Sequence, residues 1–359
     1  MKRQIIARFP GISCAWMDSA GKETTECFGF ADQENHVFVD ENTLFPACSI
    51  SKFVTAICVM KLREERLIDI DMPVNRYLRR WKLLTADGIE SDAAVRSILC
   101  HTAGILDGEE SFHGLRRGDP EIGLIDILEG KTVYNNRPAR AEKPQGTAFE
   151  YTDAGYCVLQ LLLQEVRQKA FEDIAREIVF DPLNLKSAFF VSSGNAARFE
   201  NRMVAGYDND GRPIPGKFPP VPDLAASGLW STPKELVAIA KEFVKALHGE
   251  SAFLQAESAL EMARPAKDFP GAGLGVFLRG NGILVSQGWG ENGQCMFKMN
   301  TRTKEISVVM TNRDPGVDQV KSGVEYLVNR STGLTKRKRG NIIKSMENER
   351  GQEGEKCPA

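Results

Sequence analysis

Residues 43–56 read TLFPACSISKFVTA. From Ser49 onward the apolar residues Ile50, Phe53, Val54, Ile57 and Cys58 recur at i, i+3, i+4, i+7 and i+8, the spacing of one face of an amphipathic helix. Ser49 therefore stands at or near a helix start. Lys52, three residues on, projects from the same side, where its amine can take the serine hydroxyl proton. A lysine set in so apolar a turn can lose its charge and serve as a base near neutral pH. Serine and lysine three apart occur twice more, but Ser19 and Lys22 lie in a hairpin turn and Ser231 and Lys234 at a helix start, so those pairs have structural explanations.

Before this stretch, residues 11–40 alternate short apolar runs with turns (GISCAWMD, ECFGFAD, HVFVD), the pattern of a β-meander whose first turn carries Gly21. After it, residues 67–145 mix short helical runs with charged loops. A long apolar helix follows Tyr151, and Thr232 with Glu235 forms a capping box in front of another, with Pro233 at its first position. Beyond residue 270, GAGLGVFL, NGILVS, QCMFKMN and EISVVMTN read as successive strands. Strands from both ends of the chain and helices between them give an α+β fold: one antiparallel sheet flanked by helices, with a mainly helical second lobe. The expected organisation is one domain over 1–334, its α/β part at about 1–66 and 225–334 and its helical lobe at about 67–224. The charged segment 335–359 is expected to be a disordered tail.

Composition excludes several function classes. A net charge of −2 with 42% hydrophobic residues is ordinary for a soluble protein and gives no footprint for nucleic acid. No run approaches the ~20 apolar residues of a membrane span, and the N-terminal MKRQIIARFPGISCAW, broken by Arg8, lacks the pattern of a signal peptide. The eight cysteines include no C-x-x-C and no zinc-site spacing, so they read as reduced, buried thiols. The expectation is a cytoplasmic protein with no cofactor and no metal, acting on a small molecule; nothing in the sequence gives an oligomeric state.

The segment around Ser49 resembles the nucleophile segment of the serine β-lactamase, penicillin-binding protein and related esterase superfamily. ILCHTAGI at 98–105 resembles that family's Leu-x-His-Thr-x-Gly-Leu, Tyr151-Thr152-Asp153 stands where class C β-lactamases and their esterase relatives carry Tyr-x-Asn, and AASGLWSTPKEL at 225–236 and GLGVFL at 273–278 follow in the family's order. The resemblance runs from about Gly11 to Asn312. It implies Ser49 as acyl-forming nucleophile, Lys52 as its base, Tyr151 as the group passing a proton to the leaving group, an oxyanion hole from the backbone N–H groups of Ser49 and Trp289, and a loop-structuring role for His101.

The family's last motif, Lys-Thr-Gly or His-x-Gly, is here Ser286-Gln287-Gly288, followed by Trp289. The glycine that lets a substrate approach is kept, and the cation or imidazole is lost. Asp153 replaces an amide with an acid. Asp153, Ser286, Gln287, Gly288 and Trp289 are thus the candidate substrate-binding residues, and both departures weigh against an anionic substrate. The sequence favours an esterase or amidase on a small neutral or cationic acyl compound over a β-lactamase or D,D-peptidase. A third reading is a catalytically impaired binding protein that keeps an apolar pocket around Trp289.

Overall fold

The first hairpin forms because Asp18 accepts hydrogen bonds from the N–H groups of Ala20 and Lys22, both at 2.9 Å, and Gly21 supplies a φ of 81°. In this computed structural model, which describes residues 2–330, that turn joins β1 (Gly11–Met17) to β2 (Glu23–Asp32), and β3 (Val37–Phe38) follows. The C-terminal strands are β4 (Phe277–Leu278), β5 (Ile283–Gly290), β6 (Gly293–Asn300) and β7 (Ile306–Thr311). Together they make one antiparallel sheet in the order β3-β2-β1-β7-β6-β5-β4, with β1 from one end of the sequence paired to β7 from the other. The chain through Asn329 forms one compact unit. The segment expected to be a tail, 335–359, lies outside the described residues.

Every residue of β1 and β7 is buried, as a strand covered on both faces requires. The alternation of β6 shows what covers each face. Phe297 packs edge-on to Phe53, with ring centroids 5.0 Å apart, whereas Gln294 and Lys298 bond to Ser322 and Asn329 of the C-terminal helices.

Phe53 belongs to α1 (Ser51–Glu64), the central helix. Its sequence reads as amphipathic, yet it is buried nearly all round, because its polar residues find partners in the chain around residues 224–229. Thr55 donates to the Ala225 carbonyl at 2.8 Å, and the Ser51 hydroxyl donates to the Cys48 carbonyl and accepts from the Leu229 N–H. Against α1 pack α2 (Ala154–Arg167) and α3 (Leu224–Ser227), and Phe243 of α4 (Pro233–Leu247) also meets Phe53.

Two local readings are corrected. Thr232 caps α4 by accepting from the Glu235 N–H, but the Glu235 carboxylate turns to the Lys186 N–H, so the capping box is half closed. Of GAGLGVFL only Phe277–Leu278 is strand; residues 271–276 leave the sheet and enter the wall of the cleft. The stretch 67–224 holds short helices such as Val95–Leu99 and Leu124–Leu128 besides α2, and a strand, Ala188–Phe190, that joins a second small sheet with Leu229–Ser231 and Phe45–Pro46. No helix among the described residues is long and apolar enough to cross a membrane.

Candidate active site

The small sheet fixes the turn that carries Ser49. Phe45–Pro46 pairs with Leu229–Ser231, and the Ala47 N–H donates to the Leu229 carbonyl at 2.8 Å. The chain then reverses through Cys48 at φ 45°, a left-handed conformation that a residue with a side chain adopts only under constraint. Cys48–Ile50 make one 3-10 turn and α1 begins at Ser51, so Ser49 sits just ahead of the helix, as its sequence predicts.

β5 runs alongside this turn with Gly288 at the crossing. A Cβ on Gly288 would lie 2.5 Å from the Ala47 carbonyl oxygen and 2.7 Å from the Cys295 sulfur, so only glycine allows the approach. Past its short pairing with β4 the strand is a free edge at residues 286–290. The Gln319 side chain holds it by donating to the Gly288 carbonyl at 3.1 Å.

Lys52 is the centre of the site. Its ammonium lies 3.1 Å from the Ser49 hydroxyl and 3.1 Å from the Ala226 carbonyl, and it forms an ion pair with Asp153. Tyr151 lines the same cleft as Ser49 and Lys52, and the ammonium stands 4.9 Å from the Tyr151 ring centroid. The structure thus brings Ser49, Lys52 and Tyr151 together. The electrostatics differ from a neutral lysine: burial pushes Lys52 down, but the Asp153 carboxylate and the Tyr151 hydroxyl outweigh it, and the net shift is upward. Lys52 rests as an ammonium. Enclosure raises the Tyr151 phenol more than Lys52 lowers it, so Tyr151 rests protonated.

Asp153 is placed beside the nucleophile by the ion pair of its carboxylate with Lys52. Two further aspartates, absent from the sequence reading, surround the pair. Asp107 accepts from the Thr152 hydroxyl and from the N–H groups of Asp153 and Ala154 at 2.6, 2.7 and 3.0 Å. Asp223, at the start of α3, is completely buried, and burial with the charge of Asp153 raises it to about 8. Asp107 and Asp223 join Asp153 only through the tertiary fold, so no local pattern announces them.

His101 carries structure, as the resemblance implies. At φ 60° it turns the loop, its Nδ1 accepts from the Thr152 N–H at 3.2 Å, and its ring stacks 4.4 Å from that of Tyr151. Burial and the Lys52 charge depress it to about 3, so it is a neutral imidazole.

The cleft in front of Ser49 is walled by Phe149, Tyr151, Val276 and Phe277, with Ser286 and Gln287 on the strand side. Lys52 is the one cation among the described residues lining it, and Asp153 already neutralises it. Trp289 is 45% exposed and its indole N–H donates to Asp314 at 2.6 Å; the apolar wall is built from the phenylalanines rather than around Trp289. No group of side chains with metal-site geometry occurs among the described residues.

The β-lactamase family model matches residues 3–329, nearly the whole described chain. The chain belongs to the β-lactamase family. Among its relatives, unguisins hydrolase ungD of Aspergillus violaceofuscus (strain CBS 115571) is 26% identical over 56% of this chain and 35% of its own length. Esterase EstB of Burkholderia gladioli is 26% identical over 52% of this chain and 47% of its own. The chain therefore spans less than half the length of these curated relatives. Among solved structures, the D-amino acid amidase of Ochrobactrum anthropi SV3 superimposes with a TM-score of 0.73 at 20% identity, covering 97% of each chain. The octameric penicillin-binding protein homologue of Pyrococcus abyssi gives 0.73 at 21% identity, over 91% of this chain and 75% of that one. These likenesses establish the fold: the α+β, β-lactamase/transpeptidase-like architecture that the sequence predicts.

Proposed function

We propose that this protein is a serine hydrolase that forms an acyl-enzyme on Ser49 and acts as an esterase or amidase on small, uncharged acyl compounds. The observation that carries the reading is that the Ser49 hydroxyl, hydrogen-bonded to the Lys52 ammonium, shares one cleft with the Tyr151 ring, 4.9 Å from that ammonium. Ser49 attacks the acyl carbon, Lys52 handles the proton it releases, and Tyr151 protonates the departing oxygen or nitrogen. The N–H groups of Ser49 and Trp289 are assigned to the oxyanion, with the close approach at Gly288 holding the two segments together.

The cleft lining supports uncharged substrates. A penicillin or a D-Ala peptide brings a carboxylate, and the described residues lining the cleft offer no free cation to meet it, whereas Phe149 and Phe277 suit an apolar group. Relatives named as an esterase, an amidase and a hydrolase fit the same assignment. Six cysteines among the described residues are buried thiols outside any disulfide, which fits work in a reducing compartment, and we assign the protein to the cytoplasm.

The test is intact-mass analysis of wild type and Ser49→Ala after exposure to a fluorophosphonate, p-nitrophenyl acetate and benzylpenicillin. The expected result is a Ser49-dependent adduct with the first, turnover of the second, and no stable penicilloyl adduct. A penicilloyl adduct would transfer the assignment to penicillin-recognising chemistry, and no reaction with any probe would leave a binding protein.

A further inference from the structure

A lysine ammonium has three protons and no acceptor site. In this protein all three are directed at partners: the Ser49 hydroxyl, the Ala226 carbonyl and the Asp153 carboxylate. Nζ therefore has no lone pair with which to take the Ser49 proton. It gains one only when a proton leaves it, and of the three partners only the Asp153 carboxylate is basic enough to receive it. Tyr151 does not replace it in that role, because it rests as a phenol.

We propose that Asp153 is the terminal acceptor of the Ser49 proton, reached through Lys52; this rests on the assignment of Ser49 as nucleophile. As the Ser49 Oγ–C bond forms, the Oγ–H proton passes to Nζ, one Nζ proton passes to Asp153, and the carbonyl π pair becomes the oxyanion. Lys52 is an ammonium before and after the step. Asp153 becomes neutral as the oxyanion appears, so the total charge of the site is unchanged. On collapse, the bond to the leaving group breaks and its electron pair takes the Tyr151 proton. The phenolate recovers a proton from Lys52, and Lys52 recovers one from Asp153.

The surroundings are consistent with a carboxylate that gains a proton during turnover. The groups facing the pair are Tyr151 and neutral His101 on the cleft side, Tyr156 and Cys157 from α2, Asp107 from its loop, and Tyr134 with Asp223 beside α3. Lys52 is the one positive charge among these groups, and Asp107 and Asp153 repel each other, so neutralising Asp153 relieves that repulsion instead of stranding a charge. An asparagine at 153, the family's usual residue, has no such capacity.

The experiment is the pH dependence of Ser49 labelling by a fluorophosphonate, followed by intact mass, in wild type, Asp153→Asn and Asp153→Glu, with far-UV circular dichroism to establish folding. Asp153→Asn is expected to move the acid limb of the labelling rate upward by about two pH units or more, toward the range in which lysine and tyrosine titrate. Asp153→Glu is expected to keep the wild-type limb at a lower rate. Superimposable acid limbs for wild type and Asp153→Asn would overturn the relay, as would a glutamate variant that follows the asparagine one. Wild type that is not labelled at Ser49 at any pH would remove the nucleophile assignment and the relay together, so the two failures are distinguishable.

Discussion

The Tyr134 hydroxyl donates a 2.6 Å hydrogen bond to one carboxyl oxygen of Asp223, and the other oxygen is buried without a partner. One donor is too few for a buried carboxylate, and burial with the nearby Asp153 charge lifts Asp223 from 3.8 to about 8 against the opposing effects of Tyr134 and Lys52. The folded chain holds this proton where the unfolded chain has released it. The side chain's contribution to stability is therefore fully present below about pH 4 and is lost as pH rises to about 8. Asp223→Asn removes that dependence. Thermal melts should show the difference between Asn variant and wild type moving in favour of Asn from pH 5 to pH 8 and levelling above; a constant difference would show that Asp223 does not titrate there.

Gly288→Ala tests the approach of β5 to the nucleophile turn. The new methyl would meet a backbone carbonyl, that of Ala47, at 2.5 Å, and backbone cannot swing aside as a side chain can. The strand must move, and with it the Trp289 N–H. Loss of one oxyanion donor costs about 10²–10³ in rate, and kcat on p-nitrophenyl acetate is expected to fall on that scale while the far-UV spectrum is kept. Unchanged kcat would detach Trp289 from the reaction.

The sheet was legible in the sequence because both ends of the chain carry short apolar runs separated by turns, and β1, β6 and β7 fall where those runs lie. The central helix was legible in position but not in environment: Ser51 and Thr55 look like a solvent face, and only the carbonyls and N–H groups of the chain around 224–229 reveal that they are buried and paired. Ser49, Lys52 and Tyr151 could be found because each lies in a local motif. Asp107 and Asp223 could not, since an aspartate in a loop or ahead of a helix looks the same whether it meets water or an active site. The state of Lys52 followed the same limit: apolar neighbours in sequence suggested a neutral amine, and an acid 101 positions away keeps it charged.

His101 provides a separate check on which groups titrate during the reaction. Held near 3 by burial and the Lys52 charge, it stays neutral across the working range and should contribute no limb between pH 5 and 8. His101→Asn keeps a residue that tolerates the left-handed conformation and offers an oxygen to the Thr152 N–H, whereas His101→Ala loses both. Ala is expected to melt lower and react more slowly than Asn, with pH–rate profiles of the same shape in both. A limb near pH 6.5 that disappears in the variants would make His101 a participant in proton transfer.

Ser286→Lys addresses substrate charge directly. Ser286 lines the cleft, is 4% exposed, and stands where family members with a Lys-Thr-Gly motif carry a cation. A new ammonium there would meet a carboxylate on the departing side of the substrate, and a hydrogen bond to a charged group contributes about 1.5 kcal/mol or more, roughly tenfold in kcat/KM. The comparison is between phenyl acetate and 4-acetoxybenzoate, which share an acyl group and differ in one carboxylate. Wild type should prefer the neutral ester, because Lys52 is neutralised by Asp153 and Phe149 and Phe277 face the ring. In Ser286→Lys the ratio should move about tenfold toward the anion, chiefly through KM. If wild type already hydrolyses both esters equally, the cleft does not select against charge, and the assignment to uncharged substrates fails while Ser49 chemistry stands.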